Sequence, residues 1–327
     1  MLGSKIVSLS EAVNEVRDGD ITLFGGLIDA RRPMAAMFEI MRQQKKNLIA
    51  LAFVALEDPL IGAGCIGGVH GCYTHMGIFG KAPCLQRAVK ENKLIINDIG
   101  HADSMLAIIA GAYGLPFVGS PYSLGTDVLN PAYSKMEELR AIARNKEKIP
   151  AIKSQVTKNP FNNQNQNVVL FPAIRPDIAI IHVQQVGTEG TCRIDGVQGY
   201  DAFGALAADK VIITAEQIVP EELLRRDPNR NLIPCTEVDM IVEVPYGAHP
   251  SLVPNHYDLD LEFIKQYQAA AKTKAGFDRW ADEWVYSIKS QTDFIQKLGA
   301  AKLQKLRTVE PFGFSPRAGI TQLLETM

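Results

Sequence analysis

Between Ile21 and Ala55 the sequence sets a short apolar strand, a glycine-bearing loop, a helical segment and a second apolar strand in succession. Two strands joined through a helix cannot close a hairpin, so they pair in parallel, and this stretch alone commits the chain to an α/β sheet. The first strand, Ile21-Thr22-Leu23-Phe24, ends at Gly25-Gly26. Pro33 stands where a first-turn proline belongs and opens a helix from Met34 to about Gln43. The second strand runs from Leu48 to Ala55. Ahead of them, Ser8-Leu9-Ser10-Glu11 is a capping box that starts a helix reaching about Asp18.

The alternation continues along the chain. Strands are expected at Val69–Thr74 and Lys93–Ile96, and helices at Cys84–Glu91 and His101–Tyr113. From about 120 to 167 the chain is rich in Asn, Pro, Ser and Lys, which predicts a surface excursion with one helix near Met136–Asn145. The Asn-Gln run at Asn162–Asn167 fits a solvated turn. Val168–Pro172, Ile178–Val186 and Val211–Thr214 are near-continuous apolar runs, which fit strands covered on both faces, and Met240–Val244 is a further candidate. From about 259 to 306 the sequence is helical, with Phe263, Tyr267 and Ala270 and then Trp280, Trp284 and Ile288 at helical spacing, a stripe that reads as core. The expected architecture is an open, mostly parallel twisted α/β sheet with helices on both faces and a helical C-terminal extension, forming one domain over residues 1–327.

Charge excludes some roles. The net charge is −2 and no basic tract occurs, so a surface that tracks nucleic-acid phosphates is not expected. Five cysteines, odd in number and never in a CxxC arrangement, read as reduced thiols. The histidines show no metal-ligand spacing, so no metal is expected. The N-terminus has no apolar stretch of signal length. The longest apolar runs, around Leu48–Leu56 and Ala107–Leu115, fall far short of the roughly 20 residues of a bilayer helix. A soluble cytoplasmic protein is expected.

Two loops could carry chemistry. In Gly25-Gly26-Leu27-Ile28-Asp29-Ala30-Arg31-Arg32-Pro33, paired glycines after a strand let main-chain N–H groups approach a ligand, and a helix N-terminus follows. Arg31 and Arg32 could hold a carboxylate or phosphate there, or be solvated arginines on a tight turn. The loop is neither GxGxxG nor a P-loop. In Tyr246-Gly247-Ala248-His249-Pro250-Ser251, His249 could donate to a ligand carbonyl, act as an acid or base, or pin a Gly-Pro turn. His182, inside an apolar strand, reads as a satisfied core histidine. No GxSxG elbow or catalytic cysteine context occurs. Glu57 and Glu216 could in principle be carboxylate nucleophiles, although loop glutamates beside strands are usually caps or solvated charges. A ligand loop without a clear nucleophile suggests a partner.

Several blocks together resemble a known family. They are Gly25-Gly26 with Arg31-Arg32-Pro33-Met34-Ala35-Ala36, Cys72-Tyr73-Thr74, Gly114-Leu115-Pro116-Phe117 and Asp177-Ile178-Ala179-Ile180-Ile181-His182. Arg225-Arg226-Asp227-Pro228, Tyr246–Ser251 and Glu283-Trp284-Val285 complete the set. In this order, along nearly the whole chain, they resemble the A (alpha) subunits of family I CoA-transferases of the glutaconate type. The resemblance implies the NagB/RpiA/CoA-transferase-like fold and, for a partner, a B (beta) subunit in an (AB)n assembly. It implies coenzyme A as substrate, with no permanently bound cofactor. The nucleophilic glutamate would lie on the B subunit, where it would form a glutamyl-CoA thioester. On this chain, N–H groups near Gly25-Gly26 would polarise the thioester oxygen, and Arg31 or Arg32 would hold the distal carboxylate of a short dicarboxylic acyl group.

One stretch departs from the family. After Cys72-Tyr73-Thr74 the family has a polar Asn-Ser-Gly stretch facing the pocket, whereas here the residues are His75-Met76-Gly77-Ile78-Phe79, one residue shorter. His75 and Gly77 therefore join the candidate binding residues, and the apolar bulk implies a different or more apolar acyl group. Relatives that hydrolyse or decarboxylate CoA thioesters supply a second reading. A ligand-sensing domain of the same fold is a third, against which stands the lack of a helix-turn-helix segment and basic patch. A sugar-phosphate isomerase fits the arginine pair poorly. A chain that builds only half a pocket is also expected to expose an apolar face.

Overall fold

The computed structural model describes residues 4–53, 55–161, 166–309, 313, 315, 316, 318 and 319. Residues 162–165 of the Asn-Gln run lie outside the described residues. The strands are β1 (Ile21–Phe24), β2 (Leu48–Phe53), β3 (Ile66–Tyr73), β4 (Ile95–Asp98), β5 (Phe117–Ser120) and β6 (Gln155–Lys158). They continue as β7 (Asn167–Pro172), β8 (Ile178–Gly187), β9 (Cys192–Arg193), β10 (Val211–Val219), β11 (Asn231–Ile233) and β12 (Met240–Glu243).

Seven of them form a parallel sheet in the order β4-β3-β2-β1-β8-β10-β12. From β1 the chain winds outward to β4, then returns to β8 on the other side of β1 and winds the opposite way. The strand order therefore reverses between β1 and β8, and in open α/β sheets ligands bind at such a switch point, beyond the carboxyl ends of the strands. β9 and β11 extend the far end of β8 in antiparallel register.

The helices follow from local signals. Helix Leu9–Asn14 begins on the capping box, with Glu11 N–H donating to Ser8 Oγ and Ser8 N–H to Glu11. Helix Met34–Arg42 starts directly after Pro33 and buries seven of its nine residues, Met34, Ala35, Ala36, Met37, Phe38, Ile40 and Met41. It packs on one sheet face with the tail helices Leu261–Ala271 and Lys274–Ala281. Phe38, Phe263, Tyr267 and Trp280 meet there edge to face, so the aromatic stripe is core. Helices His101–Ala112, Met136–Ile142 and Asp201–Ala207 cover the other face.

The middle of the chain differs from the expectation. β5, β7 and β6 form a separate three-stranded antiparallel sheet. β7 is thus not a strand covered on both faces: Val169 and Phe171 are buried while Val168 and Leu170 are half-exposed. Within the segment expected to run over the surface, Met136 and Leu139 enter the core. Asn, Lys and Pro set the average composition there and hide those two anchors. All five cysteines are free. Among the described residues no helix is long and apolar enough to cross a membrane.

Candidate binding site at the carboxyl edge of the sheet

The loop after β1 is fixed by its own backbone. Gly25 N–H donates to Ile180 O at 2.8 Å, and Gly26 N–H to Asp201 Oδ1 at 2.7 Å. Gly26 has φ +82°, and a Cβ there would run into Ala30 O and Arg31 O, so only glycine fits. Leu27 and Ala30 exchange two backbone hydrogen bonds, which leaves Ile28 and Asp29 at the tip of a tight turn. Ile28 takes φ +50°, a conformation costly for a β-branched residue and held only because its surroundings enforce it.

Both glycine N–H groups are therefore engaged within the protein. A thioester oxygen would therefore have to be met by other N–H groups near this loop, since a committed donor cannot also receive a ligand without breaking a buried bond.

The arginines require a correction. Arg31 and Arg32 are 0% and 1% exposed. Arg31 pairs with Asp201 at 2.7 Å and donates to the carbonyls of His182 and Val197. Arg32 pairs with Glu57 and donates to Gly26 O. Buried charges must be paired, and both guanidinium groups have taken their partners from the chain itself, so neither is presented to a ligand.

The second loop does meet the first. Residues Gly77–Phe79 form a 3₁₀ turn after β3. His75 Nδ1 is 3.1 Å from Gly77 O; a carbonyl can only accept, so Nδ1 carries the proton. Gly77 has φ +57°, and a Cβ on it would lie 3.0 Å from Ile28 Cγ2 and 3.9 Å from Asp29 Oδ2. The Leu27–Ala30 and His75–Phe79 turns thus face one another beyond the ends of β1 and β3, with Ile78 62% exposed beside them.

His249 does not join them. It is buried between the rings of Phe263 and Phe294, at centroid distances of 4.9 and 5.6 Å, with Nε2 3.0 Å from Asp260. Of the readings open for it, these contacts favour the one in which it holds its own turn, and the Tyr246–Ser251 segment is a scaffold. Arg32 N–H donates to Ser251 Oγ, which donates in turn to Asp29 O, and Arg31 N–H donates to Leu252 O.

Neither candidate nucleophile is poised. Glu57 is buried against Arg32 and accepts Ala55 N–H at 2.7 Å. Glu216 accepts from His182 Nε2 at 2.8 Å, Tyr257 Oη at 2.5 Å and Tyr246 N–H at 2.8 Å. Burial opposes its charge, but these donors prevail and hold its carboxyl below the usual range. His182 Nδ1, 3.0 Å from Thr214 Oγ1, completes a satisfied core histidine.

Sequence reasoning missed Asp201, Asp29 and Ser251, because no local pattern marks a residue whose partner lies far along the chain. Spacing also hid a cluster at Glu189, Glu221 and Cys235, whose ligand atoms lie within 4.8 Å of one another. There Glu189 is paired with Arg225, and Glu221 accepts Glu189 N–H.

Two histidines give the fold an acid-sensitive stability. Burial pulls His70 down to about 4 and also lowers His249, despite Asp260 beside it. A depressed imidazole keeps the folded state neutral while the unfolded chain binds a proton below about pH 6.5, so stability falls as pH drops through that value. Asp260, where burial is outweighed by His249 and Lys302, is held well below the usual carboxylate range; its contribution is present above about pH 4 and lost at lower pH. The urea midpoint is expected to fall between pH 7 and pH 5, and His70→Asn to flatten that slope.

An open parallel sheet with a reversal of strand order, and facing loops at its carboxyl edge, defines a ligand-binding α/β protein of the doubly wound class. The coenzyme A transferase family model matches residues 6–244, and the chain belongs to that family. It is 36% identical over 315 residues to the A subunit of glutaconate CoA-transferase from Acidaminococcus fermentans, covering 95% of this chain and 97% of that one. It is 30% identical to the A subunit of 3-oxoadipate CoA-transferase from Pseudomonas knackmussii, covering 91% of this chain and 100% of the relative. The crystal structure of glutaconate coenzyme A-transferase from A. fermentans superposes with a TM-score of 0.89 at 34% identity, covering 98% and 100%.

Proposed function

We propose that this chain is the non-nucleophilic A subunit of a cytoplasmic heteromeric CoA-transferase that moves CoA between a short acyl-CoA and a free carboxylate. The observation that carries this reading is the engagement of both candidate nucleophiles, Glu57 by Arg32 and Glu216 by three donors, in a chain of this family. The nucleophile is then a glutamate of a B subunit. Its carboxylate attacks the acyl-CoA carbonyl and CoA leaves as thiolate, giving a mixed anhydride. The thiolate attacks the glutamyl carbonyl and releases the first carboxylate, and the resulting glutamyl-CoA thioester passes CoA to the second carboxylate by the reverse steps. This chain contributes the facing turns around Ile28–Asp29 and His75–Phe79 as one wall of the acyl pocket. Apolar exposure supports a partner at this edge, where Ile78 is 62% and Val197 57% exposed.

The test is co-expression with the product of the adjacent gene, followed by CoA exchange to acetate and intact-mass analysis. Acetyl-CoA formed only when both chains are present, with a CoA adduct on the partner's glutamate, is the expected result. Free CoA or carbon dioxide without adduct or exchange would overturn it in favour of a hydrolase or decarboxylase.

A further inference from the structure

We propose that the cavity between the parallel sheet and the three-stranded β5-β7-β6 sheet is a further binding site, which takes a short-chain carboxylate with its head on Lys153 and its chain against the apolar lining. The site is independent of the transferase reading, and none of its lining residues belongs to the facing Leu27–Ala30 and His75–Phe79 turns.

A buried cation without a counter-charge points to it. Lys153 is 6% exposed, and its Nζ donates to Asp98 O at 3.2 Å. An ammonium has three protons to place, and a buried one is costly unless a carboxylate stands beside it. Arg31 and Arg32 have such carboxylates, and the buried Arg193 reaches oxygens of Leu224, Asp227 and Asn231. Lys148, which lines the same cavity, is paired with Asp177 and Asp209. Among the described residues Lys153 has no carboxylate within ion-pair distance. Burial lowers its pKa below the usual lysine value, and the more distant charge of Asp98 opposes this only in part.

The cavity holds a second donor. His70 Nδ1 lies 2.8 Å from Asn97 Nδ2, and that amide is oriented by its Oδ1, which accepts Lys135 N–H at 2.8 Å. Asn97 O, 3.3 Å from the same ring nitrogen, is the more distant group. The amide therefore donates to Nδ1. Burial pulls His70 down to about 4, so the ring is neutral at pH 7 and carries its proton on Nε2. The charge of Lys153 adds to that fall, which places the two side chains near each other. Around them the lining is apolar, with Ile49, Leu51, Met136, Leu139, Ile149 and Phe171. A carboxylate head satisfies the two donors, and a hydrocarbon chain suits the rest. The cavity measures about 30 Å³, room for roughly two water-sized groups, so only a short chain fits.

The experiment titrates formate, acetate, propionate, propionamide and propylammonium into the co-expressed complex by calorimetry at fixed ionic strength, with thermal unfolding of the same samples. Affinity is expected to rise about threefold for each carbon from formate to propionate. Propionamide should bind at least about tenfold more weakly than propionate, because it loses the charge-assisted bond to the ammonium, and propylammonium should not bind. Lys153→Met keeps the length and removes the charge. It should weaken propionate at least about tenfold while leaving the unliganded Tm unchanged or higher, since a buried ammonium without a carboxylate has been removed. Equal binding of propionate and propionamide would overturn the proposal, as would the absence of saturable binding by all three carboxylates. Propionate binding that Lys153→Met leaves unaltered lies elsewhere in the complex and would overturn it too. A lower unliganded Tm in that variant would do the same, by showing that the protein itself satisfies the lysine. None of these readouts needs CoA exchange, so failure of the transferase reading and failure of this site are seen separately.

Discussion

Arg31→Met is expected to destabilise the protein by about 3–5 kcal/mol, the cost of leaving one member of a buried ion pair without its partner. Asp201 would keep Gly26 N–H but lose its cation, and the carbonyls of His182 and Val197 would lose their donor. For a chain of this size that corresponds to a fall of roughly 4–7 °C in Tm. Arg31→Lys should recover only part of the loss, because a single ammonium on a flexible stem cannot reach three acceptors with the fork of a guanidinium. Thermal unfolding with kinetics on the reconstituted complex separates the two readings of this residue. If Arg31 held substrate, the methionine variant would raise KM for charged acyl groups at an unchanged Tm.

The second large effect is expected at Glu216. Its carboxylate ties β10 to β8 through His182, and to the scaffold segment through Tyr246 N–H and Tyr257 Oη. Glu216→Ala leaves three donors without an acceptor in a buried place. At about 1–3 kcal/mol for each unsatisfied group, less than additively, the loss should be about 3–5 kcal/mol. The same carboxylate is held below its usual pKa, so its contribution is present above about pH 4.5 and is lost as pH falls through the lower folded-state value. Glu216→Gln separates structure from catalysis. If Glu216 is structural, Tm drops while the CoA adduct still forms on the partner; if it were the nucleophile, the glutamine variant would abolish the adduct.

The arginine and histidine findings share one cause. Residue type and local setting allowed Arg31, Arg32 and His249 to face a ligand, and in each case a carboxylate brought up by the fold pairs with the side chain instead. Asp201 lies 170 residues from Arg31 and enters only because helix Asp201–Ala207 is laid across the β1–β8 boundary. Asp260 caps helix Leu261–Ala271 through Phe263 N–H and so brings its other oxygen to His249. The three-stranded β5-β7-β6 sheet was illegible for a related reason: an edge strand such as Gln155–Lys158 has little apolar periodicity of its own and is made a strand by β7 beside it.

What the sequence by itself determined is what short-range physics controls. The βαβ order over Ile21–Phe53 dictated parallel pairing, and Ser8 with Glu11 started the first helix. Pro33 placed the start of the helix that buries Met34 to Met41, and Gly26 alone suits its left-handed turn. The family resemblance was legible too, because its blocks are contiguous in the chain. Tertiary structure alone decided which charges remain available for chemistry. A guanidinium or imidazole offers the same groups wherever it stands, and the cost of removing it from water is met by whichever carboxylate the fold brings within reach. Here the fold brought Asp201, Glu57 and Asp260 to the residues that had looked functional, and laid Asp29 beside the His75–Phe79 turn.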